Sequence, residues 1–291
     1  MADRKIMQVP GVYRRRIGEV LVTAISDGYI DAPYSVLQNI NEDEADNILA
    51  SEFRSTPPRI SVNCYVIQYD GRTALVDTGS GDTMGPTLGK MPDFLSSLDV
   101  SSDDVDAILL THMHPDHSNG LTGAGGKRFF ANAELVVSER DVSFWHDDSA
   151  MAKANESQRE RYFLGARFQI SPYMDRLKPA VDEVFPHVTA IDLSGHTPGH
   201  TGYLIESDGQ SLLIWGDICH VPDIQVRRPE VTMVFDTDPD AAIATRRRTF
   251  DMVSSEKMLI AGMHLHFPGF SYIVLEPDGY RIISESWAFN T

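Results

Sequence analysis

The sequence predicts an α/β sandwich, with two mixed sheets inside and helices covering them. Three observations predict it. Asp-Gly turns split three segments of alternating apolar residues into hairpins, short apolar runs read as strands covered on both faces, and helix-like stretches lie between them.

Residues 1–17 read as an N-terminal arm ahead of the first strand, able to pack on the body or on the partner subunit of a homodimer. The hairpins are SVNCYVIQYDGRTALVDTG (61–79), TGYLIESDGQSLLIWGD (201–217) and SYIVLEPDGYRIISES (271–286). Asp-Gly supplies the positive φ angles that a tight two-residue turn needs. Helices are expected over 83–98, 155–168 and 239–256, the last opening on Asp-Pro-Asp cap chemistry. Strands DAILLTH (106–112) and KMLIAGMH (257–264) are almost wholly apolar, as a strand between two layers must be. With no internal repeat or low-complexity linker, the 291 residues are expected to form one domain.

Charge narrows the partners. Against 42 acidic residues stand 25 basic ones, a net −17 that repels phosphate backbones and anionic lipid. A small-molecule substrate is expected, and nucleic acid is not. The run Arg246, Arg247, Arg248 is expected to be a solvated helix face. The start, MADRKIMQVPG, lacks an apolar stretch of signal-peptide length, and no apolar run approaches the roughly 18 residues of a membrane span. Two cysteines are too few for a disulfide framework, so a cytoplasmic location with no membrane partner is the expectation.

Histidines carry the chemistry. Three of the ten fall in Thr-His-Met-His-Pro-Asp-His (111–117), directly after an apolar strand. In an extended segment alternate side chains point the same way, so His112 and His114 can reach one cation while the following turn aims Asp116 and His117 elsewhere. Further donors sit at strand or turn ends: His196 in Ser-Gly-His-Thr-Pro-Gly-His (194–200), Asp217 in Trp-Gly-Asp (215–217) and His264 in Gly-Met-His (262–264). Loops at strand ends can carry function on a rigid scaffold.

In that order HxHxDH, GHTPGH, GD and a late His resemble the metallo-β-lactamase fold superfamily, over roughly residues 18–285. The resemblance implies a four-layer αββα sandwich. It also implies two divalent ions, one on His112, His114 and His196, the other on Asp116, His117 and His264, with Asp217 bridging. Zinc is the expected metal; manganese, cobalt and iron suit the same donors. Two ions, two carboxylates and a bridging hydroxide leave the cluster near +1, able to stabilise an anionic transition state.

Gly-Glu-Val-Leu-Val-Thr-Ala-Ile-Ser-Asp-Gly (18–28), Gly-Asp-Ile-Cys-His-Val (216–221) and His-Leu-His-Phe-Pro-Gly (264–269) resemble the methyl parathion hydrolase and quorum-quenching lactonase branch. Most acyl-homoserine lactonases have Tyr three residues after the bridging Asp; His220 stands there in this chain, which favours the organophosphate-hydrolase-like subgroup. The activity implied is a lactonase or esterase using the bridging hydroxide, with organophosphate triesterase activity beside it. Asp116 and His220 are the catalytic candidates, Asp116 shuttling a proton and His220 donating to the substrate or Asp217. Asp77 resembles the carboxylate that orients a ligand histidine. Phe144 and Trp145 fall where this branch puts pocket walls, with plain helix packing as the other reading. His200 reads as structural, and His264 is preferred to His266 as a ligand. A glyoxalase II-like thioesterase or a β-lactamase are the alternatives; His114 stands where diiron oxidoreductases of this fold carry Glu.

Overall fold

The computed structural model describes Val9, residues 11–289 and Thr291. Its first half runs β1 (Val12–Ile17), β2 (Val20–Asp31), β3 (Leu37–Gln38), α1 (Glu42–Ser51), β4 (Arg59–Tyr69), β5 (Arg72–Val76), α2 (Met91–Ser96), β6 (Ala107–Leu109) and α3 (Pro115–Ser118). Next come β7 (Glu134–Val137), α4 (Glu139–Trp145), α5 (Asp148–Lys153), α6 (Glu156–Gln158), α7 (Gly165–Ile170) and β8 (Leu177–Pro179). The second half follows with β9 (Glu183–Phe185), β10 (Val188–Asp192), β11 (Thr201–Ser207), β12 (Gln210–Ile214), α8 (Pro222–Gln225), β13 (Thr232–Met233), α9 (Pro239–Ser255), β14 (Leu259–Ala261), β15 (Phe270–Glu276) and β16 (Gly279–Ser284).

Two seven-stranded sheets form, ordered β1-β2-β4-β5-β6-β7-β8 and β16-β15-β14-β12-β11-β10-β9. The first is antiparallel from β1 to β5 and parallel from β5 to β8. In the second only β12 and β14 run parallel. Side chains alternate across each strand. Thus Ala107 and Leu109 of β6 join a core shared by both sheets, with Val22, Tyr65, Tyr203 and Ile214, whereas Ile108 faces the other way. That outer face of the first sheet packs on helices through Leu95, Trp145 and Ile170. The outer face of the second sheet packs on α9 through Phe250 and Val253. The layers are therefore helix, sheet, sheet, helix, as the sequence predicts. Among the described residues no helix is long and apolar enough to cross a membrane.

All three Asp-Gly hairpins form, with Asp70 and Asp208 at positive φ. Other expectations need correction. Residues 12–17, expected in the arm, are β1, paired with β2 over their whole length, while residues 1–8 lie outside the described residues. The helix expected over 83–98 is confined to Met91–Ser96. Gly85 and Gly89 stand at φ 105° and 73°, and the buried Asp27 carboxylate takes the N–H groups of Ser80, Gly89 and Met91, so this loop is tied to β2 and keeps only isolated turns of its own. Helix 155–168 forms but winds as a π-helix over Arg159–Leu164. Arg246 is not solvated. It is buried, and its guanidinium donates to the carbonyls of Ile218, Pro229 and Val231, tying α9 to the loop after Asp217.

Candidate metal centre

Every predicted donor arrives on a strand end or a tight turn of the two sheets. β6 runs into Thr111, after which His112 and His114 lie on the loop and Pro115 opens the single turn of α3 that carries Asp116 and His117. His196 stands in the turn between β10 and β11, Asp217 follows β12, and His264 follows β14.

These seven residues converge. His114 Nδ1 lies 3.0 Å from His112 Nε2 and 2.9 Å from His196 Nε2. The carboxylate of Asp217 sits at the centre: its Oδ2 is 3.2 Å from His117 Nε2, 3.2 Å from His264 Nε2, 3.4 Å from His196 Nε2 and 3.6 Å from His112 Nε2. Asp116 Oδ2 is 3.6 Å from His117 Nε2 and 3.5 Å from His264 Nε2. Two three-residue sets, His112/His114/His196 and Asp116/His117/His264, each bring their donor atoms within 4.8 Å of one another.

Buried polar atoms normally find hydrogen-bond partners. Here His117 Nε2 and Asp217 Oδ1, both at the centre, have none among the described residues. The outward nitrogens, by contrast, are mostly engaged. His112 Nδ1 lies 3.0 Å from the Thr111 hydroxyl, His117 Nδ1 2.7 Å from Asp77, His196 Nδ1 2.6 Å from Asp236, and His264 Nδ1 2.7 Å from the Ser61 carbonyl. An imidazole fixed through one nitrogen presents the other to a cation. Imidazole and carboxylate donors in this number suit a dinuclear site.

Charge follows the same geometry. Burial pushes the Asp217 carboxyl up, but His117, His264, His112 and His220 around it outweigh burial and hold it well below the carboxylate range. Burial holds His112 and His114 well below the usual imidazole value. For His117 burial opposes protonation, yet Asp217, Asp116 and Asp77 raise it well above that value.

The remaining predicted residues fall into place around the donors. Asp77, at φ 58°, also accepts from the Thr111 backbone N–H at 2.7 Å, so one carboxylate touches both ends of the ligand loop. His220 is buried with its Nε2 3.0 Å from Asp217, and burial pushes its pKa down to about 4. His200 stays outside the donor set: its Nδ1 faces the Leu193 carbonyl and its Nε2 accepts the Asp217 backbone N–H at 2.9 Å. A Cβ on Gly216, at φ 60°, would lie 2.2 Å from that nitrogen, which explains glycine before Asp217. His266 turns away to Asp223 at 2.7 Å.

Two cavities open on the centre. One, of about 270 Å³, is lined by Asp116, Asp217, His220 and His264 with apolar walls that include Ile30, Val36 and Phe235. The other, of about 370 Å³, is lined by Phe144, Trp145, Tyr162 and Phe163. Phe144 and Trp145 thus line a cavity and also pack into the helix-facing core. Tyr162, on the π-helix, borders both cavities and lies 5.1 Å from the His114 ring. Asp236, Asp141 and Tyr162 carried no signal in the sequence, because a lone carboxylate or phenol far along the chain shows nothing of what it will touch.

A family model described as the metallo-beta-lactamase superfamily matches residues 57–264. The chain belongs to that superfamily. It is a hydrolase of that superfamily, similar at TM-score 0.90 and 29% identity to the crystal structure of hydrolase AbOPH, covering 97% of this chain and 100% of that one. A second structure, AidC, a dizinc quorum-quenching lactonase in complex with a product N-hexnoyl-L-homoserine, matches at TM-score 0.90 and 25% identity over 96% of this chain and 99% of that one. An N-acyl homoserine lactonase of Bacillus thuringiensis is 24% identical over 222 residues, 69% of this chain and 80% of the relative. Against the endoribonuclease ysh1 of Schizosaccharomyces pombe, 26% identical over 190 residues, the match takes in 60% of this chain and 24% of the relative.

Proposed function

We propose that this metallo-beta-lactamase superfamily hydrolase opens a lactone or cleaves an ester at a dinuclear metal centre, with phosphotriesters as a second substrate class. The observation that supports it is the placing of Asp217 Oδ2 within 3.6 Å of five imidazole nitrogens, those of His112, His117, His196, His220 and His264, between two separate donor triads and on the wall of a largely apolar cavity. In this reading His112, His114 and His196 hold one ion, Asp116, His117 and His264 hold the other, and Asp217 is shared. When bound, such a pair activates water at neutral pH and polarises a carbonyl or phosphoryl oxygen.

The chain's own groups do the rest. Asp116, with 15% of its side chain exposed while the imidazoles around it are buried, can pass a proton between the cavity and a departing alkoxide. His220 borders the same cavity and, if neutral with Nε2–H, donates toward Asp217 or a substrate oxygen. Apolar walls on one side and aromatic walls on the other favour a substrate with an apolar or aryl substituent. Resemblance to the AidC and Bacillus lactonases supports the lactone; the cavity of about 370 Å³ with its aromatic wall supports aryl esters and phosphotriesters.

The test is metal analysis beside a panel of acyl lactones, aryl esters, a phosphotriester, a cephalosporin and a glutathione thioester. About two ions per chain and fastest turnover on lactone or ester are expected. Fastest turnover on the thioester or the cephalosporin would replace this reading with a glyoxalase II-like or β-lactamase one. Asp116→Asn should lower kcat far more than it raises KM; unchanged kcat would remove Asp116 from the proton path.

A further inference from the structure

Four of the five imidazoles in the donor set are held through the nitrogen that faces away from the centre. His114 is the exception. It turns Nδ1 inward, and its Nε2 has no partner among the described residues. Its ring rests on packing against Trp145, Tyr162 and Phe235, at 5.4, 5.1 and 6.1 Å between centroids. Packing alone leaves a ring free to tilt; the His114 carbonyl is held by the N–H groups of His117 and Ser118, which leaves the peptide before it to be fixed by another group.

We propose that Asp141 is the positioning residue that does this, its buried carboxylate pinning the loop of His112 and His114 to the turn of His196. The proposal rests on the dinuclear reading above. Asp141, in the first turn of α4, is fully buried. Its Oδ2 accepts the backbone N–H of Met113, the residue between His112 and His114, at 2.9 Å. Its Oδ1 accepts the backbone N–H of Gly199, three residues after His196, at 2.8 Å. Trp145 Nε1 donates to Oδ2 at 3.3 Å, so the ring packed on His114 hangs from the same carboxylate.

Three features mark this as more than packing. Burial pushes the Asp141 carboxyl up, and the hydrogen bonds it accepts, those from Gly199, Met113 and Trp145 among them, offset only part of that. A group kept there against that cost must do something that an apolar side chain could not. The carboxylate also joins two chain segments far apart in sequence that supply all three nitrogens of one donor set. Finally, the turn presses on the start of α4: a Cβ on Gly199 would lie 2.5 Å from the Asp141 amide nitrogen.

Asp141→Asn keeps the shape but turns an amide N–H toward one of the two backbone N–H groups it must accept. The readout is release of zinc, and of cobalt with its absorption spectrum, to a chelator, on wild type, Asp141→Asn and His114→Ala. Asp141→Asn should release one of two ions at about 10- to 100-fold lower chelator strength, with the spectral change of His114→Ala, and leave the second ion at wild-type affinity. Equal weakening of both ions, or a lower Tm of the metal-free protein with both affinities unchanged, would reduce Asp141 to a packing residue and overturn the proposal. Should Asp141→Asn not fold, Asp141→Glu keeps the charge and displaces it; selective loss of the same ion supports the pin, and equal affinity overturns it. A wild type holding a single ion would sink the dinuclear reading instead, and the pin would then stand or fall on whether Asp141→Asn loses that ion.

Discussion

The two halves of the chain bring donors to the centre in different ways. The first half delivers four of them, His112, His114, Asp116 and His117, in one run after β6, where each is held partly by its neighbours. The second half delivers His196, Asp217 and His264 from three separate loops, and each has its own distant anchor: Asp236 for His196, His200 for the Asp217 backbone, and the Ser61 carbonyl for His264. A contiguous run shares its supports, whereas each isolated donor is steadied at its own loop. The consequence is that the second half should be the more sensitive to loss of a single anchoring group.

Asp217 is the extreme case, because both donor sets meet on it. Asp217→Asn removes the central charge without removing the shape. Metal content should fall below one ion per chain, and kcat/KM should drop on the order of 10³-fold, the loss of several kcal/mol of charge stabilisation. Near-normal metal content with near-normal turnover would show that the halves do not share this group.

A more discriminating comparison sets Asp236→Asn against Asp77→Asn, one anchoring carboxylate from each half. Both face the Nδ1 of a donor imidazole at similar distance, 2.6 and 2.7 Å. Each carbonyl also accepts from the threonine after that carboxylate, Thr78 for His117 and Thr237 for His196, but His117 keeps further supports: the Thr111 hydroxyl lies 3.5 Å from its Nδ1, and its backbone N–H donates to the His114 carbonyl. His196 is held in ring and carbonyl by one segment, Asp236 with Thr237. Asp236→Asn should therefore cost about 10- to 100-fold in metal affinity, and Asp77→Asn less. The reverse order in a zinc competition titration would break the distinction between run and isolated donor.

The same distinction decides what could be read in advance. His112, His114, Asp116 and His117 were legible because spacing alone places them together. His196, Asp217 and His264 stood out as donors at strand or turn ends, but only the resemblance to a known order joined them to the run, since nothing local says that three strand ends meet. Hairpins were legible from Asp-Gly and α9 from its Asp238 cap, both local rules. What stayed hidden was long-range: Asp27 drawing residues 83–90 out of the expected helix, Arg246 entering the core to bind three carbonyls, β1 pairing where an arm was expected, and the anchors Asp141 and Asp236. Propensity is a weak prior that such tertiary bonds override.

The smallest effect expected concerns Asp223, which ties the loop after Asp217 to the loop after His264. It lies 2.7 Å from His266 and 3.0 Å from Arg54. Burial raises its carboxyl, but these two partners more than offset that and hold it below the ordinary value. A carboxyl lowered in the folded state adds stability that is fully present above its unfolded pKa, about 3.9, and is lost as pH falls through the folded value. Because 42% of the Arg54 side chain is exposed, solvent screening limits that part of the gain to under about 1 kcal/mol. The Tm gap between wild type and Asp223→Asn, taken on metal-free protein, should thus be small at about pH 5 and should close below about pH 4. A gap that persisted to pH 3 would mean that Asp223 acts through shape rather than charge, and that the loops of the second half are tied by packing as much as by their individual anchors.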